Sequence, residues 1–349
     1  MASEATNREA FTIQQTYCRT MGAPITERVA GAIRDAATRD TATGARILDW
    51  PGDPTADALP LRTVGGLHAL AQAGRSAELV RLFAGEVTDP AEAAAIVGRA
   101  FAAHDAEILP WLDGPPQTNE LGRSGALMVG LMAVARRFGH PLEILEIGSS
   151  AGLNLLVDRI RYDLGGATPG PEESPITIRP EWRGPPPEPV TVRFAGVRGV
   201  EIAPVDVRDP AAAARLRAYV WADNPDRLAR LTKAIAMIEA RPVALEAGDA
   251  ADWIEARLAE PQAPQTTRVL MHSVVWQYLG EARQARITAA MEAAGARATP
   301  ERPLAWVQME PLRHSETPRQ EIWVRTWPEG APAVKLAHAQ AHGAWVEAL

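Results

Sequence analysis

The sequence predicts an α/β protein in which a helical N-terminal region precedes strands that alternate with helices, and an antiparallel hairpin closes the sheet. Three observations predict it. Residues 1–116 are rich in alanine, with apolar residues recurring at helical spacing. From residue 142 onward, short apolar runs alternate with helical stretches, the pattern of a parallel sheet built from right-handed crossovers. Two extended runs at 321–327 and 333–338 flank Pro328-Glu329-Gly330, which reads as a hairpin turn.

The elements follow in order. Leu67, Leu70 and Ala71 share one helical face, as do Leu79, Leu82 and Phe83. Asp89-Pro90 places an N-cap and a first-turn proline before a helix carrying Ile96, Val97 and Phe101. Gly114-Pro115-Pro116 breaks the pattern, so the boundary is drawn between a helical region, 1–116, and an α/β domain, 117–349. A helix over 120–138 presents Leu127, Leu131 and Val134 on one side. A strand at 142–147 ends at Gly148, and helical character returns over 152–160. Residues 165–189 are crowded with proline, which lacks an amide donor and fixes φ. This stretch reads as an insertion with room for a short hairpin. Further strands are expected at 198–203, 243–247, 268–274 and 304–309, and helices at 225–240, 250–259 and 281–294.

Composition narrows the function classes. With 46% hydrophobic and 23% charged residues, the 349-residue chain has the balance of a globular protein. A net charge of −7 argues against a broad nucleic-acid surface. Cys18 is the lone cysteine, so no disulfide within the chain is expected, which fits a reducing cytoplasm. The first residues lack the basic-then-apolar order of a signal peptide, and no apolar run is long enough to span a bilayer. The sequence carries no Gly-Lys-Ser/Thr phosphate loop, no Gly-x-Ser-x-Gly elbow and no His-Glu-x-x-His zinc motif. No metal is expected. A small-molecule substrate is.

Four segments carry the candidate chemistry. Glu146-Ile147-Gly148-Ser149-Ser150-Ala151-Gly152 is a strand end entering a turn of small residues. A helix after it would aim free amides at an anionic or nucleotide ligand, although small residues also occur there for packing alone. Glu201 ends the next strand, where a carboxylate can accept ribose hydroxyls or simply face water. Asp249, followed by Ala250, opens a helix after the third strand and reads either as an adenine acceptor or as an N-cap. His272 ends the fourth strand and reads as a general base or as a hydrogen-bonded structural histidine. Two weaker patches flank these. Asn119, Glu120 and Arg123 in the patch Gln117 to Arg123 read as reaching over the Gly148 turn or as an ordinary cap with a surface charge pair, and Met309 to His314, after the fifth strand, reads as a border of the substrate pocket or as a connecting loop.

Glu146-Ile147-Gly148-Ser149-Ser150-Ala151-Gly152 resembles the first motif of class I S-adenosylmethionine-dependent methyltransferases, with Ser150 in place of the middle glycine. Val200-Glu201 resembles that family's ribose-binding strand end, and Gly248-Asp249-Ala250 its adenine-binding turn. The resemblance implies a Rossmann-like seven-stranded sheet closed by the hairpin, with S-adenosylmethionine as cofactor. It implies a cofactor site of Asn119, Arg123, Glu146, Gly148, Ser149, Ser150, Gly152, Glu201, Asp249 and Ala250, with His272 as base and the helical region as a lid. The whole chain also resembles a bacterial family catalogued as a domain of unknown function, through Gln117 to Arg123, Leu145 to Leu155, Arg161 to Gly165 and Val220 to Pro225. Two other readings stay open: a methyltransferase-fold protein that binds without turnover, and another nucleotide-dependent enzyme such as a nicotinamide oxidoreductase.

Overall fold

The computed structural model describes residues 3–116, 119–312, 319–330 and 332–349. Gln117, Thr118, Arg313 and His314, noted above, lie outside the described residues. The chain divides into two compact units, one of residues 1–118 with 209–229, the other of 119–208 with 230–349. The sequence boundary at 116/117 lies beside the first division. Nothing in the composition marked 209–229 as part of the helical unit.

The first unit opens with α1 (Glu4–Thr20), α2 (Pro24–Ala36), α3 (Ala42–Leu48), α4 (Leu59–Gln72), α5 (Ala77–Phe83) and α6 (Pro90–Ile108), then a 3-10 turn, Leu109–Leu112. The expected apolar faces converge: Leu67, Leu79, Leu82, Ile96 and Phe101 are buried in one core with Phe11 and Ile33. Asp89 caps α6 as its sequence suggests, accepting from the Ala91 and Glu92 amides ahead of the buried stripe.

The second unit begins with α7 (Arg123–Phe138), β1 (Leu142–Ile147), a single 3-10 turn at Leu153–Leu156, β2 (Arg161–Tyr162), β3 (Thr177–Ile178), β4 (Glu181–Arg183) and β5 (Phe194–Glu201). Next come α8 (Pro210–Ala218), which belongs to the first unit, and α9 (Pro225–Ala240), whose residues divide between the two. The chain finishes with β6 (Ala244–Ala247), α10 (Ala250–Ala259), β7 (Thr267–Ser273), a 3-10 turn at Trp276–Tyr278, α11 (Gly280–Gly295), β8 (Leu304–Pro311), β9 (Gln320–Trp327), β10 (Val334–Ala339) and β11 (Trp345–Ala348). No described helix is long and apolar enough to cross a membrane.

Among the described residues one sheet holds nine strands in the order β4-β11-β10-β9-β8-β7-β1-β5-β6. The expected number was seven. β10 and β9 form the predicted closing pair, but β11 extends it and β4, from the proline-rich insertion, adds a parallel strand at the far edge. The insertion opens on one tight antiparallel turn, Leu164 bridging Ala167 across Gly165-Gly166, and β3 within it pairs in parallel with β2 just before it. A second difference lies after β1, where the expected helix over 152–160 is one 3-10 turn.

The five parallel strands at the centre run, in chain order, β1, β5, β6, β7, β8, and lie in space as β6-β5-β1-β7-β8. The chain lays strands outward from β1 in one direction, then returns to β1's other side. In open α/β sheets this reversal leaves a crevice at the carboxyl ends of the two strands beside it, here β1 and β7. All seven residues of β7 are buried, as a parallel strand covered on both faces requires. Trp253 and Ile254 of α10 and Ile287 and Met291 of α11 supply one cover, packed with Leu145, Ile147 and Leu270 of the sheet.

Candidate functional site

Both strands at the reversal end in unusual backbone. After β1, Gly148 (φ +69°), Ser150 (φ +54°) and Gly152 (φ +76°) take left-handed angles. Glycine adopts these freely, whereas serine at Ser150 is strained by about 1 kcal/mol. A side chain at Gly148 would meet Val275 Cγ2 at 2.3 Å, and one at Gly152 would meet Val243 Cγ2 at 2.9 Å. After β7, Val274 has φ +54°, an outlier for a β-branched residue. The loop it begins puts Val275 directly over Gly148.

The turn is held from two sides. The Ser150 amide donates to Glu201 Oε2 at 2.8 Å, while Glu201 Oε1 accepts from the Ile202 amide at 2.9 Å. The Leu153 amide donates to Asn119 Oδ1 at 2.8 Å, so Asn119 reaches the turn as expected. Ser149 donates its amide to Val200 O, tying the turn to β5. Arg123 donates its Nε to Ala341 O and acts on Glu146 through its charge. With only a short 3-10 turn after Gly152, several amides expected to face a ligand are satisfied within the protein.

Glu146 lies beneath, 1% exposed, and burial pushes its carboxyl up to about 7. Ser149 and Asn154 lower it by hydrogen bonding, Glu201 opposes them by like charge, and Arg123 adds a smaller attraction. Its Oε2 has no hydrogen-bond partner among the described residues.

Asp249 is the N-cap of α10: its Oδ1 accepts from the Ala251 amide at 2.9 Å and the Asp252 amide at 3.3 Å. Its other oxygen pairs with the Arg283 guanidinium. Burial works to raise the Asp249 carboxyl, and Arg283 with the two amides brings it below its ordinary value. Asp249 thus caps α10 and pairs with a cation, and Ala250 is the first residue of that helix.

His272 is 0% exposed. Its Nδ1 lies 2.7 Å from Glu310 Oε1, and Trp306 Nε1–H donates to its Nε2 at 2.9 Å. Since indole nitrogen only donates, the proton sits on Nδ1 and faces Glu310. Trp276 stacks on the ring at 5.3 Å. Both ring nitrogens therefore have hydrogen-bond partners within the protein, as the structural-histidine alternative has it.

Glu310 belongs to the segment that the sequence reads as a border of the substrate pocket or as a connecting loop. It is the penultimate residue of β8, and its Oε1 also accepts from the Val275 and Trp276 amides at 3.2 and 3.3 Å. It therefore pins the loop that covers Gly148. The only signal in the sequence was an acidic residue at a strand's carboxyl end, the same signal that marked Glu201.

The crevice edge also carries exposed apolar side chains. Ile202, next to Glu201, is 70% exposed, and Tyr278, at the end of the loop after β7, is 76% exposed.

One family model matches residues 8–348, and its description reads uncharacterized protein conserved in bacteria (DUF2332). The chain belongs to this family. The match spans both units of the DUF2332 chain, so the helical unit is as much part of the family as the sheet. No curated protein and no solved structure matches it.

Proposed function

We propose that this DUF2332 protein is an S-adenosylmethionine-dependent methyltransferase acting on a small molecule. The observation that carries the reading is Glu201. It ends the strand beside β1, lies across the small-residue turn, and is oriented by the Ser150 and Ile202 amides. A carboxylate so fixed at the end of the strand next to β1 suits the two hydroxyls of a ribose. Ile202 offers an apolar surface for the adenine. Asp249 does not fit an adenine-binding role, being occupied as a cap and by Arg283. When bound, the cofactor supplies an electrophilic methyl group. The chain's own contribution is to hold donor and acceptor in line and exclude water. Glu310 and His272 serve this by fixing Val275 and Trp276 over the turn.

Calorimetric titration of the full chain with S-adenosylmethionine and S-adenosylhomocysteine tests the proposal. Both bind, and Glu201→Gln weakens them by about tenfold, the value of a charge-assisted hydrogen bond. Absence of binding by both to protein with a native circular-dichroism spectrum refutes it. A second reading, binding without turnover, is favoured by one observation: His272 is sealed from solvent with both nitrogens occupied. Release of S-adenosylhomocysteine on incubation with candidate acceptors separates the two. Preferential quenching of NADH fluorescence would favour a nicotinamide enzyme instead.

A further inference from the structure

We propose that the helical unit contains a binding site for a small organic carboxylate, built on Arg215. The site stands independently of the cofactor reading, since none of its residues belongs to the crevice described above.

Arg215 lies on α8. Its guanidinium carbon sits 4.5 Å from the centre of the Trp111 ring and 5.5 Å from that of Tyr219. Nη2 donates to the Tyr219 hydroxyl at 3.0 Å. The two rings meet edge to face at 5.4 Å. The guanidinium is partly exposed and has no carboxylate partner among the described residues, in a chain whose arginines are mostly paired with acids.

The seat for these rings is costly to build. Gly65 and Gly66 sit side by side inside α4, where each weakens the helix by about 1 kcal/mol relative to alanine. A side chain at Gly65 would lie 2.6 Å from Tyr219 Cε1, and one at Gly66 would lie 3.0 Å from Trp111 Cγ. Gly114 lies beside the guanidinium, where a side chain would stand 3.7 Å from Arg215 Nη2. Arg62, 8% exposed, adds positive potential. It donates to the Asp57 and Leu112 carbonyls, and its charge acts on the Tyr219 phenol alongside that of Arg215.

The fork of guanidinium donors on Arg215 matches the planar, bidentate geometry of a carboxylate. Arg62 is buried and spends its donors on backbone carbonyls, so Arg215 is the partly exposed guanidinium of the two, which favours a monoanion over a phosphate dianion. The flanking rings favour an acid with a flat apolar body.

The test is titration of the full chain with benzoate, benzamide and inorganic phosphate, followed by calorimetry and tryptophan fluorescence. Benzoate binds saturably and changes the fluorescence. Uncharged benzamide binds about tenfold more weakly or not at all. Arg215→Met, which keeps the stem against the rings, loses benzoate binding by tenfold or more. Arg215→Gln serves as the second variant, read at the same far-ultraviolet signal as the parent. No saturable benzoate binding, equal binding by either folded variant, or equal binding of benzamide overturns the site. Phosphate binding more tightly than benzoate overturns the carboxylate assignment. Because S-adenosylhomocysteine plays no part in these titrations, their failure leaves the proposed cofactor site untouched.

Discussion

Glu146→Gln is the most informative single perturbation of the sheet. Burial pushes the Glu146 carboxyl from 4.5 up to about 7. Between those values the unfolded chain has released its proton while the folded chain still holds it. The folded state then binds more protons, and stability falls as pH rises through this window. Below 4.5 there is no penalty, and above about 7 it is constant. At about 1.4 kcal/mol per pH unit, the full difference is bounded at about 3 kcal/mol. Glutamine has nearly the same shape as the protonated acid and never ionises. Urea unfolding at pH 5 and pH 8, monitored by far-ultraviolet circular dichroism, gives the stability of parent and variant. The expected result is a variant close to the parent at pH 5 and more stable by about 2–3 kcal/mol at pH 8. A parent-to-variant difference that does not change between the two pH values refutes the reasoning, because it would mean Glu146 ionises alike in both states.

Three further outcomes follow from the same crevice. Ser150→Gly relieves the left-handed strain at φ +54° and raises stability by up to about 1 kcal/mol in urea titration. Gly148→Ala combines positive φ with a contact at Val275 and lowers stability by about 1–3 kcal/mol. Adding Val275→Ala recovers the steric part of that loss and leaves the backbone part, which a double-mutant cycle resolves. Glu310→Ala strips the acceptor from His272 and from two loop amides. It lowers stability by about 2–4 kcal/mol and increases acrylamide quenching of tryptophan emission as the loop carrying Trp276 loosens.

The sheet's centre was legible because apolar runs and glycine turns are local signals. Ile144-Leu145 and Val269-Leu270-Met271 are short apolar runs that suit a strand covered on both faces. The edge was not legible. β4 is three residues between prolines, and it becomes a strand only because β11 lies beside it. The helix expected after Gly152 failed for a related reason. Leu153 to Leu156 are all buried, which periodicity cannot tell from a longer buried helix. At the crevice, residue types drew attention to the strand ends, and their bond partners were beyond the reach of sequence. Asp249 and Glu201 both follow strands, yet Arg283 and a helix terminus engage the first while the second lies across the turn. His272 and Glu310 are 38 residues apart, so no spacing rule joins them.

Residues 209–229 complete the helical unit from the middle of the chain. Asp223 receives the Ile25 and Thr26 amides and the Thr26 hydroxyl at the start of α2, and His68 meets the Ala218 carbonyl. During translation the first 118 residues emerge long before their last partners exist, so this unit matures only after most of the sheet's first half has been made. Gene fragments cut at either edge of 117–119 would each fail differently: one lacks the acid that caps α2, the other carries Leu216, Tyr219 and Val220 with nothing to bury them.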